Sequence, residues 1–318
     1  MAEGSSRTVV VAALVANALV TLTKFGAGLF TGSSAMLSEA VHSLVDTGNE
    51  ALLLYGQHRA SLPPDEDHPL GHGRELYFWS LVVALSLFAV GSGLSFYEGV
   101  SAIIHPEPIK HPYINYGVLG AAFLFDGYSW QVAVRSFRRK KGSLGWVGAV
   151  RKSKDPPGFI VMFEDSADLI GLVLAFLGNA ASITFNMPYM DGVASIGIAI
   201  LLGSVAAILS HESKGLLIGE GMAPQTVAEI LSQARRTSGI RSARNIFTVH
   251  LAPDQAIVAL AVDFEDAMSV VQVKQVVGDL TSEIQRTFPE VREVLVTPGH
   301  GTYRSRTGRE PCPTDGDR

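Results

Sequence analysis

Residues 8–30 read TVVVAALVANALVTLTKFGAGLF, an apolar run interrupted by strongly polar side chains only at Asn17 and Lys24. A bilayer's hydrocarbon core is crossed by about 20 consecutive, mostly apolar residues in helix. Five further segments meet that requirement loosely: 34–58, 78–97, 113–134, 159–182 and 188–210. The expected fold is therefore an α-helical membrane protein with six transmembrane helices. The chain is 47% hydrophobic and only 17% charged, low for a soluble protein of 318 residues. The first run is too long for a signal segment and no small-residue cleavage site follows it, so it is expected to stay as a span.

The loops set an expected orientation. RSFRRKKGSLGWVGAVRKSKDPP, after the fourth run, holds eight Lys or Arg and one Asp. TGSS and ITFNM, after the first and fifth runs, hold no charge. Positive loops stay in the cytoplasm, which places both termini there. After residue 211 the texture changes. A helical pattern is followed by NIFTVHL and AIVALAVDF, which alternate like strands across the turn residues APDQ. An amphipathic helix over 269–288 and a last strand, VREVLVT, come next. The order αββαβ predicts a small cytoplasmic α+β domain of ferredoxin-like type. The expected division is a transport domain over 1–211, a cytoplasmic dimerisation or regulatory domain over 212–300, and a disordered tail over 301–318. The one cysteine, Cys312, lies in that tail, so neither an internal disulfide nor a thiolate-rich metal cluster is expected. A net charge of −5 gives no reason to expect a nucleic-acid partner. No nucleophile–base pair or cofactor motif appears, so neither catalysis nor an organic cofactor is expected.

Pairs of candidate metal ligands four residues apart sit inside two of the apolar runs. SEAVHSLVDTGNEALLLYG, residues 38–56, contains His42 and Asp46, four apart and so on one helical face. FEDSADLIG, residues 163–171, contains Glu164 and Asp168 at the same spacing, with Asp165 turned away from that face. One imidazole and three carboxylates from two helices suit a four-coordinate divalent metal such as zinc. A charged side chain at the bilayer centre costs ~2.5–3.5 kcal/mol on insertion scales, so four at helical spacing imply a cation, protons or water to meet them. The alternative is a structural hydrogen-bond network. Asn17 and Lys24 in the first run and Asp126 in the fourth are further polar groups inside apolar sequence. In the 58–78 loop, DEDHPLGHGRE places Asp65, His68 and His72 so that one turn of chain can hold one metal; a polar loop capping the next helix is the equal alternative.

These motifs resemble the cation diffusion facilitator family. NALVTLTKFGAGLFTGSSAMLSEAVHSLVDTGNE is similar to that family's first two spans, and HPLGHGRELYFWSL to the signature before its third. EDSADLIG and DGVASIGIAILL are similar to its fifth and sixth. The resemblance covers about 9–298. It implies a homodimeric antiporter in the lipid bilayer that exports a divalent metal against protons, with a cytoplasmic αββαβ domain at the dimer interface. By position it implies His42, Asp46, Glu164 and Asp168 as the intramembrane transport site, and Asp65, His68 and His72 as a second, loop-based metal site. Arg74 matches a basic residue that interlocks with an acid below the sixth span, for which Glu220 in LLIGEG is the best match. Glu164 stands where zinc-selective members commonly carry His, which opens the site toward Mn2+, Fe2+ or Co2+. Ala261 and Val296 stand where some members carry zinc-binding His. His250 and His300 do not fit that pattern, so no binuclear zinc site is expected there. The expected function is efflux of a divalent cation, zinc first, by metal/proton antiport through alternating access. Composition favours a bacterial plasma membrane. The competing reading is a non-transporting membrane scaffold or metal sensor of the same fold.

Overall fold

The structure is a computed structural model that describes residues 2–31, 34–105, 112–142, 145–185, 187 and 189–299. Cys312 and the segment 301–318 lie outside the described residues. The chain divides into two compact units, Met1–Gly219 and Glu220–Arg318.

The first unit is helical. It comprises α1 (Ala2–Thr31), α2 (Ser34–Ala60), α3 (Glu75–Ser86), α4 (Gly93–Ile104), α5 (Pro112–Lys141), α6 (Trp146–Lys152), α7 (Pro156–Phe185) and α8 (Tyr189–Ile218). A single π-helical turn, Leu87–Ser92, joins α3 to α4 without a break in the rod. α1 packs on α2, α5 and α7, while α8 packs on α7, α4 and α3. Val10, Ala13, Leu53, Val83, Phe159, Ile160, Ala206 and Leu209 fill the space between them and are fully buried or nearly so.

Two contacts explain how these helices come so close. At the α4–α8 crossing, a Cβ on Gly192 would stand 2.6 Å from the Gly99 carbonyl oxygen, and one on Gly99 would stand 2.9 Å from that of Gly192. Small residues let helix backbones approach where apolar solvent gives no other drive to associate. α1 and α2 are joined by polar rungs one turn apart. Asn17 Nδ2 donates to Glu50 Oε1 at 2.8 Å, the Thr21 and Thr47 hydroxyls meet at 3.2 Å, and Lys24 Nζ donates to Ser43 Oγ at 2.9 Å. Lys24 is also 3.6 Å from Glu39 Oε2, so its buried ammonium faces an acid from the same neighbour.

The expectation of six transmembrane helices is corrected here. Among the described residues, three helical stretches are long and apolar enough to cross a membrane: Ser6–Thr31, Glu75–Ile104 and Tyr189–Ile218. The difference arises where ionisable groups interrupt apolar sequence. α2 carries Glu39, His42, Asp46 and Glu50, α5 carries Asp126 and ends in Arg138, Arg139, Lys140 and Lys141, and α7 carries Glu164, Asp165 and Asp168. Each such group offsets several apolar side chains on a transfer scale.

The second unit holds α9 (Pro224–Arg236), β1 (Ile240–Ala252), β2 (Gln255–Phe264), α10 (Val270–Thr287) and β3 (Val291–Pro298). β1 and β2 form an antiparallel hairpin closed by Pro253 and Asp254, with Ala252 opposite Gln255. β3 returns parallel to β2 after the crossover through α10, as a parallel pairing requires. β2 is central and buries six of its side chains, from Ala256 to Val262 with Ala259 less covered. Ile230 and Ala234 of α9 and Leu280 and Ile284 of α10 pack with it. α10 starts at a capping box in which Ser269 and Gln272 satisfy each other's backbone N–H. The ferredoxin-like expectation is also corrected. The sheet has three strands in the order β1-β2-β3 and does not close into that fold, because no strand among the described residues of this unit precedes α9 to supply a fourth.

Gly192→Val puts two methyl groups against a backbone oxygen that cannot move aside. It is expected to destabilise the helical unit by about 1–3 kcal/mol, read as a lower thermal midpoint of the purified protein in detergent. A midpoint equal to the parent's would show that α4 and α8 part there freely.

Candidate metal centre

Two groups of candidate ligands emerge, and they differ in how closely their atoms are gathered. The first is built on α2 and α7. On α2 the i,i+4 spacing puts His42 Nε2 3.7 Å from Asp46 Oδ2, with Asp46 buried and His42 half-buried. On α7 Glu164 is buried and Asp168 half-buried. Asp46, Glu164 and Asp168 lie near enough to act on one another electrostatically. Asp165 faces another helix, where Ser129 Oγ of α5 donates to its Oδ2 at 2.7 Å.

The π turn borders this group. A Cβ on Gly91 would stand 3.8 Å from His42 Cε1, in ordinary van der Waals contact with the imidazole. Single π turns inside α-helices recur at functional sites, since they shift the register of one helix face against its neighbours.

The second group is the loop between α2 and α3. The ligand atoms of Asp65, His68 and His72 all lie within 4.8 Å of one another. Among the described residues no other set of three or more His, Cys, Asp or Glu is gathered so tightly. His42, Asp46, Glu164 and Asp168 are therefore not drawn to that radius. In the loop, the His68 N–H donates to Asp65 Oδ1 at 2.6 Å, and His72 Nε2 lies 3.0 Å from Asp65 Oδ2. The two imidazoles lie 4.2 Å apart, centroid to centroid. Gly71, at φ +80°, makes the left-handed turn that brings His72 back over Asp65. The hydrogen bond from His72, and then that from the His68 N–H, lowers the Asp65 carboxyl from its ordinary 3.8 to about 2. Below the loop, Arg59 of α2 forks onto Glu75 Oε1 at 3.1 and 2.8 Å, and Trp79 Nε1 donates to Glu75 Oε2 at 2.8 Å. Two imidazoles and a carboxylate are a donor set that suits zinc.

Arg74 is exposed at the start of α3 in the first unit, and Glu220 opens the second. Asn49, Ser129 and Gly91 were not singled out in the sequence as site residues. Asn49 donates from Nδ2 to Glu164 Oε1 at 3.4 Å, across 115 positions of chain. Its signal was a polar amide seven residues after His42 and three after Asp46, hence on their face. Ser129 and Gly91 carried no comparable signal.

The sequence matches the cation efflux transmembrane domain over residues 10–218 and the cytoplasmic domain of cation efflux proteins over 222–297. It is 33% identical over 259 residues to the proton-coupled zinc antiporter SLC30A9, mitochondrial, of Homo sapiens, covering 81% of this chain and 46% of that protein. It is 32% identical to metal tolerance protein C4 of Arabidopsis thaliana over 267 residues, 83% of this chain and 58% of that one. The chain thus spans about half the length of these two relatives. With the cation-efflux pump FieF of Klebsiella pneumoniae (strain 342) it shares 26% identity over 285 residues, 89% of each chain.

The loop's dependence on Asp65 has a definite sign. A carboxyl lowered to about 2 favours the folded loop above its ordinary range and loses that contribution as pH falls from about 4 toward 2. Amide exchange at His68 is therefore expected to stay protected down to about pH 4, and Asp65→Ala should speed it at neutral pH roughly tenfold. Equal exchange in parent and variant would show that Asp65 does not organise the loop.

Proposed function

The chain belongs to the cation diffusion facilitator family of metal transporters, and from that premise we propose that it exports a divalent metal cation, zinc first, in exchange for protons. The family is one of transporters rather than catalysts, and the protein is an integral, multi-pass membrane protein. The observation that carries the reading is a pair of ligands at i,i+4 on each of two helices. His42 and Asp46 stand 3.7 Å apart on α2, and Asn49 of the same face reaches the buried Glu164 of α7. Asp168 completes the set one turn on.

In this reading the metal draws the four side chains together from their wider spacing. His42 must be neutral and the carboxylates ionised to coordinate, so metal binding releases protons and protons from the far side displace the metal. The name of the human relative, a proton-coupled zinc antiporter, supports zinc and proton coupling. Glu164, a harder donor than imidazole, also admits Mn2+, Fe2+ or Co2+. Asp65, His68 and His72 act as a second metal station on the entry side, where their partly exposed, preassembled donors raise local capture. The first unit carries out transport. The second, whose match is to the cytoplasmic domain of these proteins, joins two copies into a homodimer. Arg74 and Glu220 act as a charge interlock. The membrane is a bacterial plasma membrane with both termini in the cytoplasm.

The test is metal flux in proteoliposomes under an imposed pH gradient. Asp46→Ala and Asp168→Ala are each expected to abolish flux, a drop of at least about a hundredfold, while the protein remains folded and dimeric. Parental flux in either would remove that residue from the site. Metal binding without flux in the parent would return the scaffold or sensor reading.

Glu164→His replaces a carboxylate by a softer nitrogen donor and removes one negative charge. The ratio of zinc to manganese flux is expected to rise about tenfold, equivalent to ~1.4 kcal/mol of discrimination. An unchanged ratio with flux intact would mean that Glu164 does not touch the ion.

A further inference from the structure

Glu164 is a carboxylate in a place that is poor at holding one. It is 1% exposed, and the carboxyls of Asp46, Glu50, Asp165 and Asp168 all lie near enough to act on it electrostatically. A buried carboxylate without donors is strongly disfavoured. Among the described residues the one side chain that donates to it is Asn49, through Nδ2 to Oε1 at 3.4 Å. Its other oxygen, Oε2, is buried and has no hydrogen-bond partner. One oxygen is thus held by a neutral amide and the other is left open.

The aim of Asn49 is itself fixed. The next residue, Glu50, is completely buried and receives Asn17 Nδ2 of α1 on Oε1 at 2.8 Å. Consecutive residues on a helix point about 100° apart. Holding Glu50 against α1 therefore sets the rotation of α2 about its axis and turns Asn49 toward α7. Asn17–Glu50 and Asn49–Glu164 are two amide–carboxylate contacts in series, running from α1 through α2 to α7.

We propose that Asn49 is a positioning residue for Glu164: its amide holds Oε1 and presents Oε2 to the metal, which makes a carboxylate workable as the ligand at this position. The inference rests on the reading of Glu164 as a ligand. The amide is suited to the role because it donates without adding charge among five carboxyls. An imidazole at position 164 has no second oxygen to be held and needs no such donor, so residues 49 and 164 must be energetically coupled.

The test is a double-mutant cycle on the full chain in proteoliposomes, with KM and maximal rate measured separately for zinc and manganese. Asn49→Ala is expected to raise the KM for metal about tenfold, the loss of one hydrogen bond to a charged group, with a smaller effect on maximal rate. Asn49→Asp keeps the shape, removes the donor and adds an acid. It should be at least as impaired as Asn49→Ala, and a parental KM in it would show that the donor is not needed. In a Glu164→His background, Asn49→Ala should change KM less than about twofold, so the two effects are not additive. Additive effects, or a parental KM in Asn49→Asp, overturn the role of Asn49 while leaving Glu164 a ligand. If Glu164→His and Glu164→Ala both leave KM and the zinc-to-manganese ratio unchanged, the ligand assignment fails first and the role of Asn49 falls with it. Asn49→Asp leaves no cavity, so a parental KM in it overturns the role of Asn49 even if Asn49→Ala does not fold, and the non-additivity with Glu164→His supports that role independently of the added charge.

Discussion

Burial of ionisable side chains among apolar helices is the condition that shapes the helical unit. A carboxyl or ammonium taken out of water is tolerated only where donors, counter-charges or an ion meet it. Lys24 is met by Ser43 and Glu39, Glu50 by Asn17, Asp165 by Ser129 and Glu164 by Asn49. In each case the partners come from a single neighbouring helix, so the polar contacts also decide which helices face each other and at what rotation. The small residues at Gly99 and Gly192 do the complementary work on the other side, where no polar contact is needed and backbones meet directly.

The two candidate metal groups stand in different states of readiness. Asp65, His68 and His72 are already gathered, because Gly71 turns the chain and Asp65 accepts from both histidines. Their geometry is local and partly exposed. The members of the helical set are not gathered to that radius, and they are carried in pairs by two helices, α2 and α7. A preassembled, accessible group suits capture, whereas a set that closes only on its ion suits a site that must also let it go. The π turn lies beside His42, with Gly91 in van der Waals reach of the imidazole.

Contacts of short range in sequence are readable from spacing, and contacts across the fold are not. The i,i+4 relation of His42 to Asp46 follows from helical periodicity alone, and so does the alignment of Asn49 with them. That Asn49 reaches Glu164, that Ser129 takes Asp165, and that Glu50 turns to Asn17 depend on how α1, α2, α5 and α7 pack, which no single segment specifies. The transmembrane expectation erred for a related reason. All six runs have the length of a span, but α2, α5 and α7 carry charged groups, and among the described residues three stretches are both long and apolar enough. The ferredoxin-like expectation erred because the order of elements does not determine how many strands a sheet contains or whether it closes.

The sequence by itself determined the apolar helical runs between residues 8 and 210, the turn at APDQ between two strands, the amphipathic helix over 269–288, and the local spacing of both ligand groups. These depend on periodicity and turn residues, which act within a few residues. Only the tertiary structure decided the strand order, the close α4–α8 crossing, and which buried amide answers which buried acid. Those outcomes rest on packing and desolvation between segments more than a hundred residues apart in some cases, as for Asn49 and Glu164, 115 positions apart.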